Sequence, residues 1–304
     1  MSKLHLGFGL TLAIAIFSYA PDAAAIKVTR DPNPPAPAAV APQPAAVAKP
    51  AAPAPHLPAF TAAQIADKNV AARGGLKAWR AVKTLTLSGK LDAGGKKPTQ
   101  LPVTMQAKRP HKERVLVEFA GQTALQVFDG AKGWTYRPYL GRSSAEPFSP
   151  EEQRKSAAND ELDGPLIDYA AKGSRIELEG TEMVEGNATY RLKVTRKDGV
   201  QRHVWIDGKT FLESKIEGNP HHFDGKMRGV QSYLRDYRSV DGLMIPFESE
   251  TRLEGVRATH KLTLEKVEIN PTIEDSAFSK PEPLTASATK AAHSPALTAA
   301  GAPH

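Results

Sequence analysis

The chain of 304 residues contains no cysteine. No disulfide can brace it, so an exported protein of this composition must rely on an ordinary hydrophobic core. The same absence excludes lipid attachment at a mature N-terminal cysteine. Catalytic signatures are missing too: there is no G-x-S-x-G elbow, no H-E-x-x-H helix and no phosphate-binding glycine loop. Asp and Glu are plentiful, but nearly all fall at turns or at alternating polar positions. A pair of carboxylates meeting in space is the one enzymatic arrangement left open. No repeat of fixed period appears, which argues against a propeller or solenoid. The expectation is a protein with no catalytic residues, no metal and no cofactor.

What is present divides the chain into four parts. Residues 1–25 read as a secretory signal: Lys3 supplies the positive start, residues 6–20 the apolar run, Pro21 the break, and residues 23–25 are small alanines before Ile26. An uncleaved signal anchor, tethering the protein to the inner membrane, is the rival reading. Residues 26–58 are mostly proline and alanine, an extended, semi-rigid linker. Residues 59–280 have the length of one all-β domain. Residues 281–304 return to Ala, Pro, Ser and Thr and are expected to be disordered.

The formal net charge is +7 and the isoelectric point near 9.4. Nucleic acid is set aside as a partner, because export removes the protein from it. An anionic membrane surface or an acidic partner suits the charge better.

Within the domain, six Asp-Gly dipeptides stand at positions 129, 163, 198, 207, 224 and 241. Most lie between runs that alternate apolar and polar residues. Glycine tolerates the positive φ of tight hairpin turns and aspartate supports them, so the pattern predicts an antiparallel meander. Thr61 and Gln64 form a capping box for a helix with Ile65, Ala66, Val70 and Ala72 on its apolar side, ended by Gly74-Gly75. A short helical turn with Trp79 follows. About eleven or twelve strands are expected in all, with one face buried, and a bulge at Lys266 between Leu264 and Val267. The middle breaks the pattern. Ser149-Pro150-Glu151-Glu152 starts a polar helix to about Asn159. Asp163-Gly164-Pro165 enters a second helix over residues 166–171, stopped by Gly173.

His221-His222, with His203, could be read as a metal site, but no third ligand is evident and a solvated hairpin tip explains them. Residues 108–114 are the densest basic cluster. They read as a charged hairpin end, or as an arginine that bonds a neighbouring loop or an anionic head group.

The stretch Ala107-Lys-Arg109-Pro110, followed by Asp129-Gly130-Ala-Lys-Gly133-Trp134, resembles the LolA/LolB-like superfamily of periplasmic outer-membrane lipoprotein-sorting proteins. So do the segments 163–169, 180–186 and 205–212, and the run Asp236-Tyr237-Arg238 to Asp241-Gly242-Leu243 and Pro246, in that order. The resemblance covers nearly all of residues 59–275. It implies a mainly β fold: an open antiparallel half-barrel with an N-terminal helix and a two-helix lid on its concave face. It also implies a hydrophobic cavity for the acyl chains of lipids or lipoproteins, and no reaction. Arg109 inherits the role of an arginine that contacts the lid. The long linker and tail depart from the plain carrier.

On this reading the cavity is lined by Leu87, Val103, Met105, Val117, Leu192, Val204 and Phe247, with Leu166, Ile167 and Tyr169 on the lid. A one-residue register error would invert the face. The function expected is a periplasmic, non-covalent carrier or sensor of acyl chains, with a role in lipoprotein sorting. The rival is a structural or interaction module of the cell envelope, or an envelope stress sensor, that holds no ligand.

Overall fold

The computed structural model describes residues 56–94, 99–157, 162–223 and 225–282. The segments expected to be a signal, all but the end of the expected linker and nearly all of the expected tail, together with Asp224 and the expected end of the polar helix at Asn159, lie outside the described residues.

The chain opens with helices α1 (Ala62–Ala72) and α2 (Leu76–Ala81). Thr61 caps α1 as expected: its hydroxyl accepts from the Gln64 amide, and the Gln64 side chain accepts from the Thr61 amide. Gly74 ends the helix at φ +108, where a side chain would meet the Gly242 carbonyl at 2.3 Å. Only glycine permits that close approach.

Fifteen strands follow: β1 (Thr84–Asp92), β2 (Gln100–Lys108), β3 (Lys112–Phe119), β4 (Gln122–Phe128), β5 (Gly133–Tyr136), β6 (Glu146–Pro147), β7 (Arg175–Val184), β8 (Asn187–Thr195), β9 (Gln201–Asp207), β10 (Glu213–Glu217), β11 (His221–Phe223), β12 (Lys226–Arg228), β13 (Val230–Val240), β14 (Leu243–Leu253) and β15 (Thr259–Ile269). Helix α3 (Pro150–Ala157) stands between β6 and β7. Thirteen strands form one antiparallel sheet in the order β6-β5-β4-β3-β2-β1-β15-β14-β13-β10-β9-β8-β7, and β11-β12 is a separate hairpin. The count exceeds the expected eleven or twelve because two-residue β6 and the three-residue strands of the hairpin are too short to show a period. β6 and β7 are edges that do not pair, so the sheet is open: the fold is the expected mainly β, open antiparallel half-barrel.

Its turns follow the Asp-Gly rule. Asp129 accepts from the amides of Ala131 and Lys132 at 2.7 and 2.6 Å, and Asp207 from those of Lys209 and Thr210 at 2.9 and 2.7 Å. Asp241 and Gly242, both at positive φ, turn β13 into β14. The bulge falls one residue before its expected place. Ser88 pairs with Lys266 and Gly89 with Leu264, leaving Glu265 as the extra residue. Gly89 is required there, since a Cβ would sit 2.1 Å from the Thr263 carbonyl.

The inner face of the sheet carries two core clusters. One joins Leu85, Leu87, Val103, Met105, Val117, Ile245, Phe247, Leu262 and Leu264 beneath Trp79 and Ile167. The other joins Tyr190, Leu192, Val194, Val204, Ile206 and Leu234 beneath Ile65 and Leu166.

Candidate functional site

The connection from β6 to β7 joins the two edges of the sheet, so it must cross the whole inner face. Thirteen strands spaced about 4.8 Å apart would span roughly 58 Å if flat. Of that connection residues 148–157 and 162–174 are described, and they are called the strap: the first stretch lies at β5, and the second sets Leu166 and Ile167 on the inner face. At one end Phe148 lies on Gly133, where a side chain would come within 2.0 Å of the ring. Ser149 caps α3 by accepting from the Glu152 amide at 3.2 Å, and Gln153 bonds back to the Gly133 amide and the Ala131 carbonyl.

Beyond α3 the expected second helix is absent. Residues 162–173 are a run of turns with single-turn bonds, such as Lys172 amide to Asp168 carbonyl at 2.9 Å. Asp168 stands at φ +54 and Gly164 at φ +87, and these left-handed residues prevent a regular helix. The lid is therefore one helix followed by a turn-rich segment.

Polar contacts hold that segment down. The Asp163 carboxylate is almost fully buried and accepts from Arg109 Nη2 and Lys172 Nζ, each at 2.7 Å. Arg109, the residue assigned to the lid, also donates from Nε to the Val82 carbonyl at 2.8 Å. Buried Arg73 donates from Nη1 to the Asp163 carbonyl at 2.7 Å and to Glu213 at 3.2 Å, and stacks on the Trp79 ring. Tyr237 donates its hydroxyl to Glu213, and burial with that carboxylate pushes its own proton loss well above the usual range. Arg80 holds Asp168 through two bonds of 2.7 and 2.5 Å, and keeps that carboxyl below its ordinary value.

Leu87, Val103, Met105, Val117 and Phe247 lie together in the first cluster, with Ile167 above them. Leu192 and Val204 lie in the second, with Leu166 above them. Tyr169 is half-buried and belongs to neither cluster. The strap thus seats consecutive residues on the two halves, Leu166 on one and Ile167 on the other.

Two crevices lie on the inner face, and the strap borders the second of them through Gly164 and Pro165. The first is walled by Leu87, Leu234, Ile245, Pro246, Phe247, Ser249, Leu262 and Leu264, and the second by Arg73, Gly164, Pro165, Glu213, Ile216, Leu234, Tyr237 and Pro246. Each holds about 10 Å³, room for one water molecule. Of the residues expected to line a cavity, Leu87 and Phe247 face the first crevice; the others are packed core. Ser249, Arg73 and Glu213 carry no sequence signal, since Arg73 and Glu213 stand 140 positions apart, and the run that holds Tyr237 does not mark it as a crevice residue.

Glu113 is a further polar group on the inner face. It pairs across the sheet with Ala107 and Phe128 and has no ionic partner among the described residues. Burial pushes its carboxyl up to about 8. His203 is held between Glu179 at 3.0 Å and Glu217 at 2.6 Å on a half-exposed face. Among the described residues no group of three or more His, Asp or Glu side chains could hold a metal, and the side chains of His221 and His222 fall outside that set. No helix of the described residues is long and apolar enough to cross a membrane.

No family model matches the chain, and no curated protein matches it. Among solved structures, it is similar to a LolA superfamily protein from Nitrosomonas europaea at 15% identity and a TM-score of 0.49, covering 73% of this chain and 99% of that one. It is similar to a putative outer membrane lipoprotein-sorting protein domain from Vibrio parahaemolyticus at 12% identity and a TM-score of 0.46, over 71% and 95% of the two chains. It is also similar to the lipoprotein LppX from Mycobacterium tuberculosis at 11% identity and a TM-score of 0.31, over 69% and 98%.

Proposed function

We propose that the protein is a non-covalent binder of acyl chains, of lipids or lipoproteins, acting in the periplasm with no chemical reaction. One observation carries the reading. The apolar inner face is covered by a strap whose second part, residues 162–174, is not a regular element and is fastened by the Asp163 cluster beside crevices walled mainly by carbon. A permanent core is closed by packing. A roof fastened by a few ionic bonds can lift and settle again at modest cost, since each such bond contributes about 1.5–3 kcal/mol. Lifting the strap would expose Leu87, Phe247, Leu262 and Leu264 to a chain whose methylenes contribute about 0.8 kcal/mol each on burial. Arg109, Leu166 and Ile167 are then lid residues and Val103, Met105 and Val117 the floor that the chain reaches as the site widens, while Leu192 and Val204 stay core in the other half. The sequence resemblance to lipoprotein-sorting proteins agrees. An export signal at residues 1–25 and the surplus of basic residues would bring the protein to an anionic membrane surface.

The second reading, an envelope module without a ligand, has its own support: the closed crevices are one water in size, and Phe60, Tyr190 and Phe211 fill the second half with touching rings. Native mass spectrometry of protein purified from the envelope separates the two. Co-purifying lipid, displaced by a fluorescent fatty acyl probe at a single saturable site, is the expected result. A bare mass and no saturable uptake of the probe would leave the module.

A further inference from the structure

The two edges of the sheet are built differently. β6 has two residues, and one of them, Pro147, has no amide to offer a neighbour. β7 has ten residues and no proline, and its far side pairs with no strand among the described residues. Glu179 is the extra residue of a bulge there, since Leu178 pairs with Leu192 and Gly180 with Arg191. The regular part of the edge is therefore residues 175–179. All of these but Ile176 are exposed, so no other element covers them. Proteins seldom leave a regular edge bare, because its amides and carbonyls pair with any strand that arrives.

The side chains decide which strand fits. Ile176 and Leu178 pair with the core residues Val194 and Leu192 and so face inward, and Leu178 is 38% exposed. Arg175, Glu177 and Glu179 take the outer face, where Glu177 and Glu179 meet Lys193 and Arg191. The run Arg-Ile-Glu-Leu-Glu is complementary to itself read backwards. An antiparallel copy centred on Glu177 sets Arg175 opposite the partner's Glu179 and Ile176 opposite the partner's Leu178, twice each. Directly opposed residues have Cβ atoms about 4.5–5.5 Å apart, within reach of ion pairing and apolar contact. Arg175 is exposed and has no ion-pair partner among the described residues, so its charge is available. Only Glu177 meets its own kind, and Lys193 stands 2.6 Å from it to offset the repulsion.

We propose that the partner of this edge is a second copy of the chain, paired antiparallel about a twofold axis at Glu177. The axis stands normal to the sheet, so both inner faces stay on one side and the two sheets run on as one. A contact through residues 175–179 is far short of the roughly 20–30 residues a side of a standard interface, so the dimer is weak and exchanges freely. The pairing is independent of the acyl-binding function above.

Sedimentation equilibrium of the full chain tests it. The expected mass climbs from monomer towards dimer as the concentration rises from about 1 μM to about 1 mM. A monomer throughout overturns the proposal. Arg175→Glu and Glu179→Lys each set like charges at both ends of the paired edge, and each alone should weaken the dimer at least about tenfold. Mixed one to one, the two variants bring opposite charges together again, and the mixture should regain the affinity of the unaltered chain. Circular dichroism checks that both fold. Glu179→Lys gives up bonds to Arg191 and Lys193. Should it not fold, Leu178→Asp, at an exposed position outside those ion pairs, gives a similar loss by setting a charge opposite the partner's Ile176. Undiminished association of Arg175→Glu or Leu178→Asp overturns the use of this edge, and a mixture as weak as its parts overturns the pairing centred on Glu177.

Discussion

The two halves of the inner face differ in how they are filled. Under Leu166, the half built on β8, β9, β10 and β13 is closed from the N-terminal side. Leu57 sits where a side chain on Gly208 would be, Tyr190 donates to the Pro58 carbonyl at 2.8 Å, and Phe60, Tyr190 and Phe211 stack among themselves. Phe211 adopts φ +58 to do so, fixed by Asn69 donating to its carbonyl at 2.8 Å. Under Ile167, the half built on β1, β2, β3, β14 and β15 has Trp79 but no such plug, and the carbon-walled crevice lies there. The first half behaves as permanent core and the second as a surface that a strap happens to cover. Packing makes the one and ionic bonds keep the other, so the two should respond differently to mutation.

The largest effect is expected at the seam. Arg73→Ala leaves Glu213 buried and unpaired and should cost about 3–5 kcal/mol of unfolding free energy in a urea titration. Replacing the pair with apolar residues, Arg73→Met with Glu213→Leu, should recover most of that loss. Next, the same change in each half sharpens the contrast. Leu192→Ala in the plugged half should cost about 4 kcal/mol, because nothing there can collapse. Leu264→Ala beside the crevice should cost about 2–3 kcal/mol, because the strap can settle inward. Equal losses would erase the distinction between the halves. Asp163→Asn removes the charge that holds Arg109 and Lys172 and should cost about 2 kcal/mol. Hydrogen exchange should then quicken in residues 162–174 while β8 and β9 stay protected; global quickening would mean that the strap is part of the core.

The last effect depends on pH. Glu113 is raised in the folded state, so folding binds a proton that the unfolded chain releases near its ordinary value of about 4.3. The folded protein therefore loses stability as pH rises from that value to about 8, and the loss is constant above it. Glu113→Gln should match the unaltered protein at pH 4 and exceed it at pH 9, read as thermal midpoints across that range. A gain at low pH, or none at high pH, would mean that the carboxyl is not desolvated.

Much of the fold was legible in the sequence because its signals are local. The Thr61 capping box, the Asp-Gly turns and the alternation of β14 are all decided within a few residues. The errors have local causes as well. A left-handed Asp168 does not announce itself, so residues 166–171 read as a helix. Lys266 and Glu265 are both polar, so the alternation alone puts the bulge one residue late. The site was less legible. Apolar alternation picks the buried face but does not say which buried residue borders a crevice, and only Leu87 and Phe247 among the expected lining do. The seam of Arg73, Glu213 and Tyr237 comes from three distant segments, and the Arg73–Glu213 pair obeys no spacing rule.

The central claim is that an acyl chain enters the inner face under the strap in the half held by Ile167. A diazirine-bearing acyl probe, photolysed with the protein and mapped by peptide mass spectrometry, tests it most directly. The account predicts saturable adducts within residues 245–249 and 262–264, suppressed by excess unlabelled ligand. Adducts confined to the outer face, or labelling that excess ligand does not suppress, would contradict it.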